Sequence, residues 1–272
     1  MNAHLDRKTT ESYWSRIWAG EKLPRPLQFR KTATLDFANR CFDLYFKQCF
    51  KGMKTTGRSL VEIGCASSVW LPYFAKQFRF DVSGLDYSEI GCARTRKILE
   101  STGVDGKIIC SDLFDFPLDW AEKFDVAISI GLVEHFDNTA TCIKAIAELI
   151  KPGGHIITII PNMGGMIGGL QRILNTEIYE LHVQLDPARL RSAHLRAGLT
   201  VLNCNYFMFT KFSVGNIGFY DNISMVWVLK KLIWSVSALI SAASWWIEDR
   251  TFCFNPNKYT SPYIVCFAHK PL

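Results

Sequence analysis

The strongest constraint on the fold is an alternation of segments that begins at Ser59. From there, short apolar runs rich in β-branched residues alternate with longer amphipathic stretches. This pattern is typical of βαβ units, in which helices connect parallel strands and cover the sheet. It predicts an α/β fold with a doubly wound, mostly parallel sheet. The six predicted strands are residues 59–64, 80–85, 107–110, 124–130, 155–160 and 200–209.

Two of the connecting helices have clear ends in the sequence. Residues 138–150 carry apolar side chains at helical spacing and stop at Lys151-Pro152-Gly153-Gly154, as expected past a helix end. Residues 187–197 begin with Pro187 at the first helical position and Asp186 as the N-cap.

Length and composition favour one large domain with additions. The 272 residues are 49% hydrophobic and 21% charged, which is enough apolar material for one sizeable core. We expect a helical cover in residues 1–58, a main domain in residues 59–272, and within it a helical insertion at about residues 213–260. The net charge of +6 comes from scattered lysines and arginines, so no nucleic-acid surface is predicted.

Cysteine usage and the N-terminal residues bear on the cellular compartment. The nine cysteines form no CxxC pair and mostly interrupt apolar runs, which favours reduced core residues. The first residues, Met1 to Glu11, are polar and lack the apolar stretch of a secretory signal. These observations predict a cytoplasmic protein.

A ligand site is predicted where the first two strands end. Gly64 closes the first strand and small residues follow it, so a ligand could approach the backbone closely. About twenty residues later, Asp86 stands at the tip of the second strand, where a carboxylate can accept both ribose hydroxyls. Parallel sheets bind nucleotides beyond the carboxyl ends of their strands, so both features indicate one site.

A third carboxylate indicates the kind of ligand. Asp112 stands at the tip of the third strand, where it can accept from an adenine amino group while Leu113 packs against the ring. The three strand tips therefore predict a ligand that contains adenosine. A nicotinamide dinucleotide is disfavoured, because only the first glycine of a G-x-G-x-x-G motif is present, at Gly64.

The ordered motifs resemble those of class I S-adenosylmethionine-dependent methyltransferases. The resemblance runs from about Ser59 to Phe209 and comprises Glu62-Ile-Gly64-Cys65-Ala66, Gly84-Leu-Asp86, Ser111-Asp112-Leu113, Phe124 to His135, and Leu149 to Gly154. It implies that S-adenosyl-L-methionine is the cofactor. The residues that the resemblance places against it are Glu62, Gly64, Cys65, Ala66, Asp86, Tyr87, Ser111, Asp112, Leu113, Ile130 and Gly131.

The resemblance also makes an expectation about topology. It implies a seven-stranded sheet whose last strand, Tyr263 to Ala268, runs antiparallel between the fifth and sixth strands. The chain departs from the family at Ala66 and Ser68, where the family usually has glycine, so the loop beside the methionine half is more crowded here.

An N-terminal aromatic pair resembles a feature of the thiopurine methyltransferase group. In that group a helix with two Trp residues four apart covers the cofactor, and Trp14 and Trp18 have this spacing. A sulfonium over indole would gain about 0.5 to 2 kcal/mol of cation–π energy. Packing of an aromatic stripe on the sheet is the alternative interpretation.

Two histidines are candidates for a catalytic base on the acceptor side. His135 follows the fourth strand, and an imidazole titrates near neutral pH. His182 lies in residues 161–186, a long connection with Gly164-Gly165 and Gly168-Gly169 as possible hinges, three residues after Tyr179. Structural hydrogen bonding is the alternative role for both histidines.

Other catalytic patterns are not found. The segment from Gly52 to Ser59 nearly matches a phosphate loop, but Arg58 replaces the lysine and a strand follows. Cysteine and histidine spacings typical of zinc sites are not found, so the sequence predicts no metal.

A long apolar helix is predicted from Met225 to Ile247, where the family usually has a short hairpin. Its polar residues fall on one narrow stripe, which makes the helix amphipathic, and the charge-free run from Leu232 to Ile247 is short for a membrane span. The helix could be a lid over an apolar acceptor, a homodimer interface, or a helix lying in a membrane surface.

Together these features predict methyl transfer from S-adenosyl-L-methionine to a small lipophilic or aromatic acceptor. Oxygen is the predicted acceptor atom, because it is the most frequent one in such families. A peripheral membrane enzyme with a lipid-linked or quinone-type acceptor is the main alternative. An RNA methyltransferase would need a basic appended domain, and an inactive binding protein would not need the carboxylates at the strand tips.

Overall fold

A computed structural model describes residues 7–214 and 225–272. Within these residues seven strands form one sheet in the order β3-β2-β1-β4-β5-β7-β6. The strands are β1 (Ser59–Ile63), β2 (Asp81–Asp86), β3 (Gly106–Cys110), β4 (Phe124–Ile130), β5 (Ile150–Pro161), β6 (Thr200–Phe207) and β7 (Tyr263–His269).

The α-helices of the described residues lie between the strands and before the first one. They are α1 (Glu11–Gly20), α2 (Phe37–Cys49), α3 (Trp70–Phe78), α4 (Glu89–Thr102), α5 (Thr139–Leu149), α6 (Met166–Leu174), α7 (Thr176–Glu180), α8 (Pro187–Arg196) and α9 (Met225–Glu248). The predicted α/β class with a doubly wound sheet is confirmed.

The direction of the strands brings most of their carboxyl ends to one edge. The first five strands pair in parallel, and β7 runs antiparallel between β5 and β6, as the family resemblance implies. Since β6 is antiparallel to β7, it is parallel to β5. The chain that leaves β6 therefore starts at the same edge as the chain that leaves β1, β2 and β4.

Two apolar layers hold the sheet. On one face, α5 and α8 contribute side chains such as Ile146 and Leu190, and on the other α2 and α3 contribute Phe46 and Phe74. All four of these side chains are fully buried. This arrangement explains why the central strands read as nearly continuous apolar runs, because both of their faces are covered.

Most predicted boundaries differ from the observed ones by one or two residues. Asn138 caps α5 by accepting from the Thr141 amide, and Asp186 caps α8 by accepting from Arg189 at 2.7 Å. The segment after α5 differs from expectation. Lys151-Pro152-Gly153-Gly154 does not form a separate turn but belongs to β5, which starts directly at Ile150 opposite Phe124.

The connection after β5 is largely helical. It contains α6 and α7, and two of its glycines, Gly165 and Gly168, allow close packing. A Cβ on Gly168 would lie 1.8 Å from the Met163 carbonyl oxygen, and one on Gly165 would lie 2.8 Å from the Tyr259 carbonyl oxygen. Close packing therefore accounts for glycine at these two positions, and the hinge interpretation stays a prediction.

The N-terminal residues are only partly helical. Between α1 and the short 3-10 turn Thr34–Asp36 the chain from residue 21 to residue 33 has no helix. Residues 1–6 of the predicted cover and 215–224 of the predicted insertion lie outside the described residues. Helix α1 packs against α4, and the Ser15 and Ser88 hydroxyls are 2.8 Å apart.

Helix α9 is amphipathic as predicted, with its serine stripe turned toward the protein. Ser241 Oγ accepts from the Phe212 amide at 2.8 Å, and the indole N–H of Trp245 donates to the Thr210 carbonyl at 2.8 Å. The apolar side chains on the other face are exposed. By length and composition alone, the whole 24-residue helix is long enough to cross a membrane, although its charge-free run from Leu232 to Ile247 is shorter.

Candidate active site

A cavity of about 290 Å³ lies at the carboxyl ends of β1, β2 and β4. It is bordered by the loops after these strands and by helix α1. Most of the residues predicted to contact a cofactor line it: Trp14, Trp18, Glu62, Gly64, Ala66, Asp86, Tyr87, Ser111, Leu113, Ile130 and Gly131. The sequence therefore locates this cavity well.

The first turn of the cavity depends on a left-handed glycine. Gly64 has a φ of +75°, and its amide donates to the Leu85 carbonyl at 2.8 Å, which ties the end of β1 to β2. A Cβ at this position would be strained by the backbone and would touch the Leu132 side chain at 3.4 Å. A glycine is required here because the backbone must turn beside the cavity.

Ser68, which stands where the family usually has glycine, has a clear structural role. Its hydroxyl accepts from the amides of Trp70 and Leu71, both at 3.1 Å, at the start of α3. The same hydroxyl donates to the buried Glu62 carboxylate. Ser68 therefore connects the first turn of α3 to the cavity wall.

Asp86 is held rigidly at the tip of β2. Its carboxylate accepts from the Ala66 amide at 3.0 Å and the Ser88 amide at 2.8 Å, one at each oxygen. Each carboxylate oxygen keeps a second lone pair that a ribose hydroxyl can use. Burial raises the pKa of Asp86 to about 6, although these amides favour the charged form.

Two predicted contact residues do not line the cavity. Cys65 is fully buried, and its sulfur lies only 2.6 Å from where a Cβ on Gly84 would stand, so it packs toward the sheet. Asp112 accepts from the Phe114 amide at 2.8 Å and forms an ion pair with Arg7. Its neighbours in the third motif, Ser111 and Leu113, do line the cavity.

The indoles of Trp14 and Trp18 form one aromatic wall of the cavity. Their rings stack at 5.8 Å with an interplanar angle of 16°, and the Trp14 N–H donates to Thr9 Oγ1 at 3.0 Å. The Thr10 side chain caps α1 by accepting from the Tyr13 amide. The helix thus presents both rings to the cavity, while their contact with a sulfonium stays a prediction.

Comparison with known proteins decides the family. Residues 30–203, more than half of the chain, match a methyltransferase domain family. The chain belongs to the S-adenosylmethionine-dependent methyltransferases. S-adenosylmethionine is the cofactor of this family, and the polar groups at the strand tips fit its adenosine.

Curated relatives of this methyltransferase are distant. It is 27% identical over 149 residues to the ubiquinone biosynthesis O-methyltransferase of Vibrio vulnificus. The aligned region covers 55% of this chain and 59% of that protein. Against the protein of that name from Proteus mirabilis it is 24% identical over 183 residues, covering 64% and 70%. The chain thus spans little more than half the length of the first of these relatives.

Solved structures share the fold. Geranyl diphosphate C-methyltransferase from Streptomyces coelicolor, solved with S-adenosyl-L-homocysteine, matches with a TM-score of 0.57 at 13% identity, covering 96% of this chain and 97% of that one. Phosphoethanolamine N-methyltransferase 2 from Haemonchus contortus matches with a TM-score of 0.55 at 16% identity, covering 86% and 53%. At these identities the likeness concerns the fold alone.

His135 lines the cavity of this methyltransferase, but its titration differs from expectation. The residue is 5% exposed and lines the cavity beside Trp14, whose ring lies 5.4 Å away. Burial and the neighbouring His182 lower the pKa of His135 to about 3. The imidazole is therefore neutral at physiological pH, and the expectation of titration near neutrality was wrong.

His182 lies next to His135 rather than in the cavity wall. The ring centroids of the two histidines are 4.6 Å apart, and burial also lowers the pKa of His182. Tyr179, expected on the same helical turn, points elsewhere and contacts the Gln184 side chain. The sequence predicted both histidines on the acceptor side, but it did not predict that their rings lie side by side.

Some site residues were missed by sequence reasoning. Arg7 and Thr9 line the cavity because the N-terminal chain forms a short antiparallel bridge, Arg7 to Phe136. The guanidinium lies 5.2 to 5.5 Å from the ring centroids of Tyr87, Phe114 and Phe136. A single isolated bridge leaves no periodic pattern in the sequence, so no sequence signal predicts that Arg7 pairs with Phe136.

Glu134 was also missed as a site residue. It lies in the 3-10 turn Val133–His135 after β4, is 1% exposed, and together with His135 and His182 forms a group that could hold a metal ion. Burial raises the pKa of Glu134 to about 8. The sequence predicted no metal because these residues come together only through the fold.

Proposed function

We propose that the chain transfers the methyl group of S-adenosylmethionine to an oxygen of a small lipophilic acceptor that it meets at a membrane surface. The cavity supports the first part, because its lining combines polar groups at the strand tips with the apolar side chains of Trp14, Leu132 and Phe136. The distant relatives named ubiquinone biosynthesis O-methyltransferase support transfer to oxygen.

The reaction places modest demands on the protein. Methyl transfer is an in-line displacement in which the acceptor oxygen attacks the methyl carbon and the bond from that carbon to sulfur breaks. The protein contributes mainly by holding both partners in line and excluding water. The acceptor oxygen must lose its proton. Because the pKa of His135 is lowered to about 3, its imidazole is too weak a base to hold this proton, which passes to solvent instead.

The outward apolar face of α9 is the main support for the proposed contact with a membrane surface. Exposed side chains recur along it at helical spacing: Met225, Leu229, Leu232, Val236, Leu239 and Ile240. Its serine stripe is turned inward, where Ser241 accepts from the Phe212 amide, so these exposed side chains form a mostly apolar outer face. Large exposed apolar surfaces mark interaction sites.

The ends of α9 favour an anionic membrane over a second copy of the chain. Lys231 lies 4.8 Å from the ring centroid of Trp227, and Arg250 lies 4.6 Å from that of Trp246. Indoles beside cations are typical of helices that lie at the boundary between lipid headgroups and acyl chains. Helix α9 bonds to Thr210 and Phe212, just after β6 ends at the sheet edge that carries the cavity, so it could present an acceptor from the bilayer.

Acceptor chemistry is tested directly. The purified chain is incubated with S-adenosylmethionine and paired phenols that differ in alkyl-tail length, and the products are identified by mass spectrometry and NMR. We expect an O-methyl ether and a KM that falls as the tail lengthens. Methylation only at nitrogen or carbon, or a KM independent of the tail, would contradict the proposal.

Membrane binding is tested by flotation with vesicles of phosphatidylcholine alone or with phosphatidylglycerol. We expect flotation that increases with phosphatidylglycerol and is lost in Leu229→Glu/Leu232→Glu/Val236→Glu. Leu118→Glu is the matched control, because Leu118 is 91% exposed and lies far along the chain from α9. A concentration-dependent dimer that the triple variant disrupts, without flotation of the wild type, would identify α9 as a subunit interface instead.

A further inference from the structure

Three potential metal ligands converge beside the cavity. Glu134 and His135 follow β4, and His182 follows α7. The ligand atoms that these side chains offer all lie within 4.8 Å of one another. A tetrahedral ion with bonds of about 2.1 Å holds its ligand atoms about 3.4 Å apart. Side-chain rotations that move the ligand atoms on the order of 1 Å would therefore bring them to the spacing that such an ion requires.

Both imidazoles are oriented by backbone carbonyls. His135 Nδ1 lies 2.8 Å from the Leu181 carbonyl oxygen, and His182 Nδ1 lies 2.7 Å from the Ile178 carbonyl oxygen. A carbonyl can only accept, so each Nδ1 carries the proton and each Nε2 has a free lone pair. Metal-binding histidines are typically held in this way, with one ring nitrogen donating to a backbone oxygen and the other facing the ion.

The carboxylate of Glu134 lacks a partner among the described residues. Both of its oxygens are buried, and neither has a hydrogen bond. Two cations of the N-terminal chain pair with other acids, Arg7 with Asp112 and Lys8 with Asp137 at 3.4 Å. An unpaired buried carboxyl is costly to the fold, and such groups normally pair with a charge or bind a metal.

From these contacts we infer that Glu134, His135 and His182 bind a divalent transition-metal ion of the zinc type. Two imidazole nitrogens and one carboxylate suit zinc, cobalt, manganese or iron, whereas magnesium prefers oxygen ligands alone. Three protein ligands leave at least one position for an external ligand, which is the pattern of catalytic rather than structural zinc sites.

The position of the ion would give it access to the acceptor. His135 lines the cavity, so an open position on the ion would be accessible to an acceptor hydroxyl bound there. A Lewis acid there would favour loss of the hydroxyl proton to solvent before the oxygen attacks the methyl group. This catalytic role rests on the proposed function, whereas binding of the ion does not.

Metal binding is tested without acceptor. The full chain is treated with chelator, dialysed, and titrated with Zn²⁺ by calorimetry, and with Co²⁺ by visible absorption. We expect one ion per chain and a Co²⁺ spectrum of four-coordinate nitrogen and oxygen ligation. In Glu134→Gln and in His182→Gln the affinity should fall on the order of 100-fold or more.

Two controls keep the test informative. His155→Gln should bind metal like the wild type, because His155 lies on β5 and stacks on Phe267 rather than joining the cluster. Affinity for S-adenosylhomocysteine should persist in Glu134→Gln, which shows that the variant is folded. No binding of Zn²⁺ or Co²⁺ by the wild type, or equal binding by the double variant Glu134→Gln/His182→Gln, would overturn the inference.

The result is separable from the proposed function. If the wild type binds one ion but methylates no phenol, the metal site stands and the acceptor proposal fails. If it methylates phenols equally well after chelation and binds no ion, the acceptor proposal stands and the metal site fails.

Discussion

At the scale of single residues, the site is built on backbone amides that position a few carboxylates and hydroxyls. Ser68 shows this most clearly, since one hydroxyl serves both the first turn of α3 and Glu62. The sequence marked Ser68 only as a departure from glycine. Its role could not be inferred, because it depends on the direction of a hydroxyl relative to a helix that the sequence does not orient.

Asp86 should determine both the strength and the pH dependence of cofactor binding. Asp86→Ala removes two acceptors for ribose hydroxyls, and we expect binding of S-adenosylhomocysteine to weaken about 10- to 100-fold. Because the pKa of Asp86 is about 6, wild-type affinity should fall as the pH drops below 6 and the carboxylate gains a proton. Calorimetry across pH 5 to about 8 measures both effects.

Asp81→Ala provides the control for this prediction, because Asp81 is an exposed residue at the opposite end of the same strand. Its affinity should equal that of the wild type. Unchanged affinity in Asp86→Ala would mean that the ribose lies elsewhere.

The Trp14 and Trp18 pair should distinguish the charged cofactor from its neutral product. A cation–π contact acts on the sulfonium but not on the thioether of S-adenosylhomocysteine, so Trp14→Leu and Trp18→Leu should weaken the first ligand selectively. A selective loss of about 2- to 30-fold corresponds to the range of such contacts. Equal losses for both ligands would show that the rings only pack.

At the scale of elements, the strands and most helices were predicted because their apolar periodicity is local. The connection after β5 was not, since its glycines suggested a loop. In the structure Gly165 and Gly168 let α6 approach the chain around Met163 and Tyr259 closely. Glycine has two uses, freedom of the backbone and absence of a side chain, and only the packing partner tells them apart.

Neighbouring glycines of α6 should respond in opposite ways to alanine. Gly169 has open space around it, so Gly169→Ala should raise the free energy of unfolding by about 0.5 to 1 kcal/mol through helix propensity. Gly168→Ala would place a Cβ against the Met163 backbone and should destabilise the chain by about 2 kcal/mol or more. Chemical denaturation of the pair measures the difference, and equal effects would contradict the close packing of α6.

At the scale of the whole molecule, several acids are buried at the carboxyl edge of the sheet. Burial raises the pKa of Glu62 to about 8, despite the hydrogen bond from Ser68. Between the ordinary pKa of a glutamate and about pH 8, the Glu62 carboxyl is therefore protonated in the folded chain and ionised in the unfolded chain. Stability that depends on this proton is present at low pH and is lost as the pH rises toward 8.

The free energy of unfolding should fall between about pH 6.5 and 8 in metal-free, cofactor-free protein. The buried histidines oppose this fall only below about pH 6.5, where the unfolded chain binds a proton at each imidazole and the folded chain does not. Glu62→Gln should reduce the slope by up to about 1.4 kcal/mol per pH unit, the value for one proton. Denaturation at several pH values measures it, with Glu100→Gln on the exposed face of α4 as control.

The sequence by itself determined the α/β class, the order of the strands along the chain, and the strand tips that carry the cofactor cavity. These features follow from local periodicity and from residues close together in the chain. Only the tertiary structure decided that Arg7 reaches Phe136, that the serine stripe of α9 faces inward, and that Glu134, His135 and His182 meet. Each depends on contacts between segments far apart in the chain, for which no local pattern in the sequence carries information.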